Sequence, residues 1–176
     1  MLSKIILTVI GSDRPGLTEA IAAAVLAANG NWLESRLSRL GGKYVGSVLV
    51  ELPDDGIESL REHARHIDAI GLKVEIVAAG DAAPQGAPQG THMHFSLVGQ
   101  DRPGIVREVS AALARLAVNI EELETGTEDG AQSGTRLFKA EAQLLLPPGV
   151  SAADVQAALE AISGEIMVDF SLVVPA

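Results

Sequence analysis

Two stretches of this chain share a pattern able to hold a small charged molecule. Ile10-Gly-Ser-Asp-Arg-Pro-Gly-Leu17 recurs as Val98-Gly-Gln-Asp-Arg-Pro-Gly-Ile105, 88 residues later. In each, an apolar run ends in Asp-Arg-Pro-Gly and is followed by apolar residues at helical spacing, Leu17, Ile21, Ala24, Val25 and Ala28 in the first copy and Ile105, Val109, Ala112, Leu113 and Leu116 in the second. That places the turn at a helix N-terminus, where unpaired N–H groups and a partial positive charge suit a carboxylate. Gly16 and Gly104 let a ligand approach the backbone, with Leu17 and Ile105 as the first helical residues. Asn31 and Asn119, also 88 apart, open the next strand with an amide that both donates and accepts. An α-amino acid needs this combination: donors for its carboxylate and oxygen acceptors for its ammonium. Asp13 and Asp101 have two readings. Each could cap its helix, with Pro15 fixing φ in the first turn, or face the ammonium group.

The elements that must position these residues repeat as well. Lys4–Ile10 and His92–Val98 read as strands, the latter with Met93, Phe95 and Leu97 on one face. Asn29-Gly30 is a stop signal for the first helix; Ala117-Val118 in the second copy gives a weaker one. Two strands follow, about 31–40 and 43–52, joined by the hairpin signal Gly41-Gly42. Their counterparts are about 119–127 and 134–146. Val50-Glu-Leu-Pro53 aligns with Leu144-Leu-Leu-Pro147 at an offset of 94, so the second hairpin is 94 − 88 = 6 residues longer and predicts a mobile loop near 128–134. A second helix buries Ile57, Leu60, Ala64, Ile67 and Ile70. Its counterpart buries Val155, Ala158, Leu159 and Ile162 behind a Ser151 N-cap. The last strands are 72–77 and 165–173, the latter with Ile166, Val168, Phe170 and Leu172 on one face.

Strand–helix–strand–strand–helix–strand, twice, predicts an α+β protein of two ferredoxin-like βαββαβ domains. Each has a four-stranded antiparallel sheet with both helices on one face. The expected domains are 1–79 and 91–176, with residues 80–90, rich in Pro, Gly, Ala and Gln, as linker. Each copy is small and leaves two sheet edges open, so edge pairing with the sister copy or with another chain, a larger shared sheet and a homodimer are expected.

Composition excludes several functions. The 176 residues carry 13 Lys+Arg against 23 Asp+Glu, a net charge of −10, which argues against a surface that tracks phosphates. Residues 1–79 hold 8 basic and 10 acidic side chains, net −2; residues 80–176 hold 5 and 13, net −8. Much of the excess, Glu121, Glu122, Glu124, Glu128 and Asp129, reads as a solvated face. There is no cysteine, hence no disulfide and no thiolate metal site, and a cytoplasmic location is expected. The longest apolar run, Ala20–Ala28, is half the length of a membrane span. His92 and His94 share a strand face without an obvious third ligand and read as exposed or helix-facing polar residues, so no metal is expected. His63 and His66 read as solvent-facing, and Trp32 as a packing residue. With no nucleophile elbow, phosphate loop or dinucleotide fingerprint, neither enzymatic activity nor a cofactor is expected.

The paired Asp-Arg-Pro-Gly turns in βαββαβ units resemble tandem ACT domains, and the layout is similar to the family of stand-alone two-ACT proteins that includes the glycine cleavage system transcriptional repressors. The resemblance implies regulatory binding of a small amino acid such as glycine between ACT units, at Asp13, Gly16, Leu17 and Asn31 and at Asp101, Gly104, Ile105 and Asn119. It also implies action through a protein partner, a transcription activator, without direct contact to nucleic acid. The competing reading is a ligand-free ACT scaffold whose turns merely start helices.

Overall fold

The computed structural model describes residues 1–80, 89–130, 136–162 and 167–172, the side chains of 168–172 excepted. The chain divides into two compact units, residues 1–83 and 84–176. In the first, β1 (Leu2–Ser12), α1 (Leu17–Ala27), β2 (Asn31–Leu40), β3 (Lys43–Pro53), α2 (Gly56–Ala69) and β4 (Leu72–Ala78) follow in order. In the second come β5 (Thr91–Gln100), α3 (Ile105–Arg115), β6 (Asn119–Asp129), β7 (Arg136–Leu146), α4 (Ala152–Glu160) and β8 (Met167–Leu172). Each unit forms an antiparallel four-stranded sheet, ordered β2-β3-β1-β4 and β6-β7-β5-β8. The expected α+β fold is therefore observed, with several strands more extended than the sequence suggested, β1 and β5 at both ends and β6 as far as Asp129. Most of the linker expected over 80–90, the tip of the second hairpin and Ile166 lie outside the described residues.

Alternation along the strands decides the layers. Ile5, Leu7 and Val9 of β1 and Val48, Val50 and Leu52 of β3 point toward the helices and are almost completely buried. They meet the stripe predicted for α1, every member of which is buried. The second unit repeats this with Met93, Phe95 and Leu97 against Ile105, Val109, Ala112 and Leu113. Burial of each large aliphatic side chain contributes roughly 1.5–3 kcal/mol. Trp32 packs against the first core, as expected of a packing residue. Ile70 departs from expectation. It is the C-cap of α2, where the chain turns outward into Gly71 (φ 93°), and is 51% exposed.

Both first helices stop the same way. Gly30 N–H donates to the Val25 carbonyl and Asn29 N–H to that of Leu26; Val118 and Ala117 repeat this on Leu113 and Ala114. This double reverse bond needs a left-handed residue after the cap. Asn29 supplies it at φ 55°, and Ala117 adopts the same φ of 55° despite its Cβ. At α4 the expected N-cap is present: Ser151 accepts from the Asp154 amide, and Asp154 accepts from the Ser151 amide. Gly41 and Gly42, at φ 57° and 78°, make the two-residue hairpin between Leu40 and Lys43.

Candidate functional site

The two Asp-Arg-Pro-Gly turns end on glycines of nearly the same backbone conformation. Gly16 stands at φ 92°, ψ −3° and Gly104 at φ 90°, ψ −5°, each as the N-cap of its helix. In both, the glycine carbonyl accepts the first helical bond at 3.0 Å, from Ala20 N–H and Glu108 N–H. Left-handed φ at a residue with a Cβ is strained, which explains glycine here.

Asp13 and Asp101 do not cap. Neither α1 nor α3 receives a side-chain cap bond, because with glycine as N-cap the aspartates stand three positions too early. Asp13 instead pairs with Arg39 at 3.3 Å, tying the turn to the end of β2. The Asp101 N–H donates to the Arg136 carbonyl, which extends the β5–β7 ladder by one bond. First-turn amides of both helices are thus left without a side-chain acceptor. A Cβ built on Gly16 would meet nothing within 4 Å; one on Gly104 would meet only the Glu108 carboxylate, at 3.9 Å. The Ile105 amide makes one long bond, 3.4 Å, to the Arg102 carbonyl.

The arginines of the repeated motif anchor differently. Arg14 donates to the Ile70 carbonyl at the C-terminal end of α2. Arg102 instead grips Glu108 with both terminal nitrogens, at 2.9 and 2.5 Å. These bonds hold the Glu108 carboxyl below its ordinary range and push Arg102 up. The difference follows from sequence, because the residue 88 positions before Glu108 is Ala20. Thr18 and Tyr44 share a 2.7 Å hydroxyl bond beside the first turn.

Asn31 and Asn119 do not join the turn of their own unit. Register pairs Asn31 with Glu51, and Glu51 with Lys4, at the start of β1, whereas the turn follows Ser12 at its other end. Eight residues at about 3.4 Å each separate these ends by roughly 27 Å. Asn119 likewise pairs with Leu145 beside His92, far from the end of β5 at Gln100. Two residues beyond each Asn the strand carries a matching irregularity, between Trp32 and Glu34 and between Ile120 and Glu122. Sequence reasoning missed these bulges, although Leu33 and Glu121 sit at the same 88-residue offset.

His92 and His94 lie on the sheet face away from the helices, which corrects the helix-facing alternative. They contact Glu121 at 2.9 Å and Glu141 at 3.0 Å. Among the described residues no group of three His, Asp or Glu side chains is placed to hold a metal ion. His63 is half-buried rather than solvent-facing and donates to the Ser59 carbonyl; His66 is exposed and donates to that of Glu62. Among the described residues no helix is long and apolar enough to cross a membrane.

Residues 3–76 match the ACT domain family. A phosphoserine phosphatase of Mycobacterium tuberculosis is 30% identical over 173 residues, 96% of this chain, which spans only 40% of that enzyme. The glycine cleavage system transcriptional repressor of Escherichia coli is 23% identical over 162 residues, covering 92% of this chain and 85% of the repressor. A crystal structure of an unknown protein from Galdieria sulphuraria superposes with a TM-score of 0.79 at 26% identity, covering 99% of this chain and all of that one. The first unit thus carries the ACT domain match, the second repeats its strand order and its glycine turn, and the chain as a whole is similar to the glycine cleavage system transcriptional repressors.

Proposed function

We propose that this protein is an amino-acid-responsive regulator, and that its ligand is glycine or another small amino acid. The observation that carries the reading is the pair of glycine turns whose first-turn amides no side chain caps. A ligand carboxylate seated there gains charge-assisted bonds from backbone N–H groups. Two or three such bonds are enough for micromolar to millimolar affinity, about 4–8 kcal/mol.

The ammonium partner comes from another ACT unit. If β2 pairs antiparallel with the β2 of a neighbouring unit, Asn31 of one strand stands opposite the Leu40 end of the other. That end carries Arg39 and, through it, Asp13. Edge pairing thus brings together the turn and asparagine that a single unit holds apart, and the same geometry applies to Asn119 and Asp101. The regulator assembles as a homodimer in the cytoplasm and catalyses no reaction. Its output runs through a protein partner such as a transcription activator. A net charge of −10 supports this over direct reading of nucleic acid, and the repressor likeness supports the transcriptional role.

Isothermal titration of the full chain with glycine, serine, threonine and alanine tests this. A saturable signal with at least one of them is expected. Asn31→Ala with Asn119→Ala, both exposed positions, should weaken it by roughly tenfold or more without unfolding the protein. Absence of heat with all four at millimolar concentration would refute the reading.

A further inference from the structure

The sheet face opposite the helices differs between the units, and in the first it is apolar at its centre. Register places Leu49, Ile6 and Val77 in one row across β3, β1 and β4, and Val45 and Ile10 together four residues along. Ile10 is 51% and Val77 53% exposed. Ile6 and Leu49 line a shallow groove of about 190 Å³ on this face together with Glu34, Arg36 and Ser47. Between the two apolar rows runs a polar one, Arg36-Ser47-Thr8-Glu75, which spans all four strands.

We propose that this face is a docking surface for the same face of a second copy of the chain, the two sheets packing flat against each other. The pattern of residues is self-complementary. Take a two-fold axis lying in the face, parallel to the strands and midway between β1 and β3. It exchanges the two ends of every row. Arg36 then lies over Glu75 of the second copy, and Ser47 over Thr8. Leu49 meets Ile6, Val45 meets Ile10, and Lys4 meets Glu51, a pair already opposed in register within one chain. Each contact occurs twice, and no like charges are opposed. Within one chain Arg36 contacts Glu34 at 3.2 Å and Glu75 contacts Lys73 at 3.1 Å; all four side chains are exposed, and across the interface Arg36 and Glu75 pair with each other while Glu34 comes to lie over Val77 and Lys73 over Ser38.

The face is large enough. Four strands about 4.8 Å apart and four rows about 7 Å apart make a patch of roughly 450 Å² on each copy. Both copies together then bury on the order of 1,000 Å², the size of a reversible dimer. Sheets packed this way keep their strands within about 30° of one another, so neighbouring rows stay in contact.

The second unit is built against such pairing. Its matching rows hold Glu124 and Glu141 beside Ser96, with Asp169 at the far register position, and Glu122 beside Gln143 and His94. The same two-fold would bring two rows together that each carry Glu124 and Glu141. Face-to-face association is therefore assigned to unit one alone.

Sedimentation equilibrium on the full chain tests this. A concentration-dependent association step is expected, monomer to dimer or, where edges already pair, dimer to tetramer. Ile6→Asp should raise its dissociation constant by at least about a hundredfold, and Arg36→Glu or Glu75→Arg by about tenfold each. The double swap, Arg36→Glu with Glu75→Arg, should recover most of the lost affinity, which no folding defect would do. No such step at hundreds of micromolar, a step indifferent to these changes, or a double swap no better than the single ones would overturn the proposal. A dimer that survives them is held by another surface, such as the sheet edges.

Discussion

The two Asp-Arg-Pro-Gly turns share the conformation of their glycines and are unlike in how side chains tie them down. The first is anchored outward, to β2 through Asp13–Arg39 and to the end of α2 through Arg14. The second is anchored to its own helix through Arg102–Glu108. The glycine φ values agree within 2° and ψ values within 2° all the same, 92° and −3° against 90° and −5°. The turn geometry is therefore set by the glycine N-cap, and the side chains hold it in place without shaping it.

A substitution that strikes one unit alone should break the comparison most sharply. Gly46 runs at φ 151°, and a Cβ there would sit 2.0 Å from the Arg36 carbonyl oxygen. Gly46→Ala should cost about 3 kcal/mol or more in the first unit, read as early loss of one transition in chemical denaturation. Its counterpart in the second unit, at the 94-residue offset, is already Ala140. Next come the turns themselves. Gly16→Ala and Gly104→Ala should each cost roughly 1–2 kcal/mol by the same measurement, because only backbone strain is involved. Unequal costs would mean that the side-chain anchors shape the turn after all.

Smaller still is the effect of the helix stops. Ala117 pays for a left-handed φ that Asn29 tolerates, so Ala117→Gly should stabilise the second unit by about 1 kcal/mol. Smallest is the ion pair. Because Glu108 is held below its ordinary range, its contribution is present at neutral pH and disappears as pH falls through the lowered value. Glu108→Gln should flatten the acid limb of the second unit's stability and leave the first unit, with Ala20 there, unchanged. Thermal melts between pH 3 and pH 7 would show it.

The architecture was legible because periodicity and duplication reinforced each other. Ile21, Ala24 and Val25 give a helical face and Ile5, Leu7 and Val9 a strand face, and each has an image 88 residues on. Of the two readings of the aspartates the capping one failed, because a cap depends on which residue occupies the N-cap, and a glycine there shifts the frame by three. The asparagines could be named but not placed, since nothing local tells a strand's near end from its far end. Ala117 was hidden for a similar reason: tertiary packing imposed a conformation its own propensity disfavours. Arg102–Glu108 pairs residues six apart across a turn, a spacing that helix rules alone do not reveal.

The central claim is that the first-turn amides after Gly16 and Gly104 are open to a small zwitterion. An amide NMR titration of the ¹⁵N-labelled chain with glycine, serine, threonine and alanine tests it directly. Saturable shifts concentrated at Gly16–Thr18 or Gly104–Val106, and at Asn31 or Asn119, are the expected result. Amides at both turns that stay still at millimolar concentrations of all four, or binding shifts confined to other parts of the chain, would contradict it.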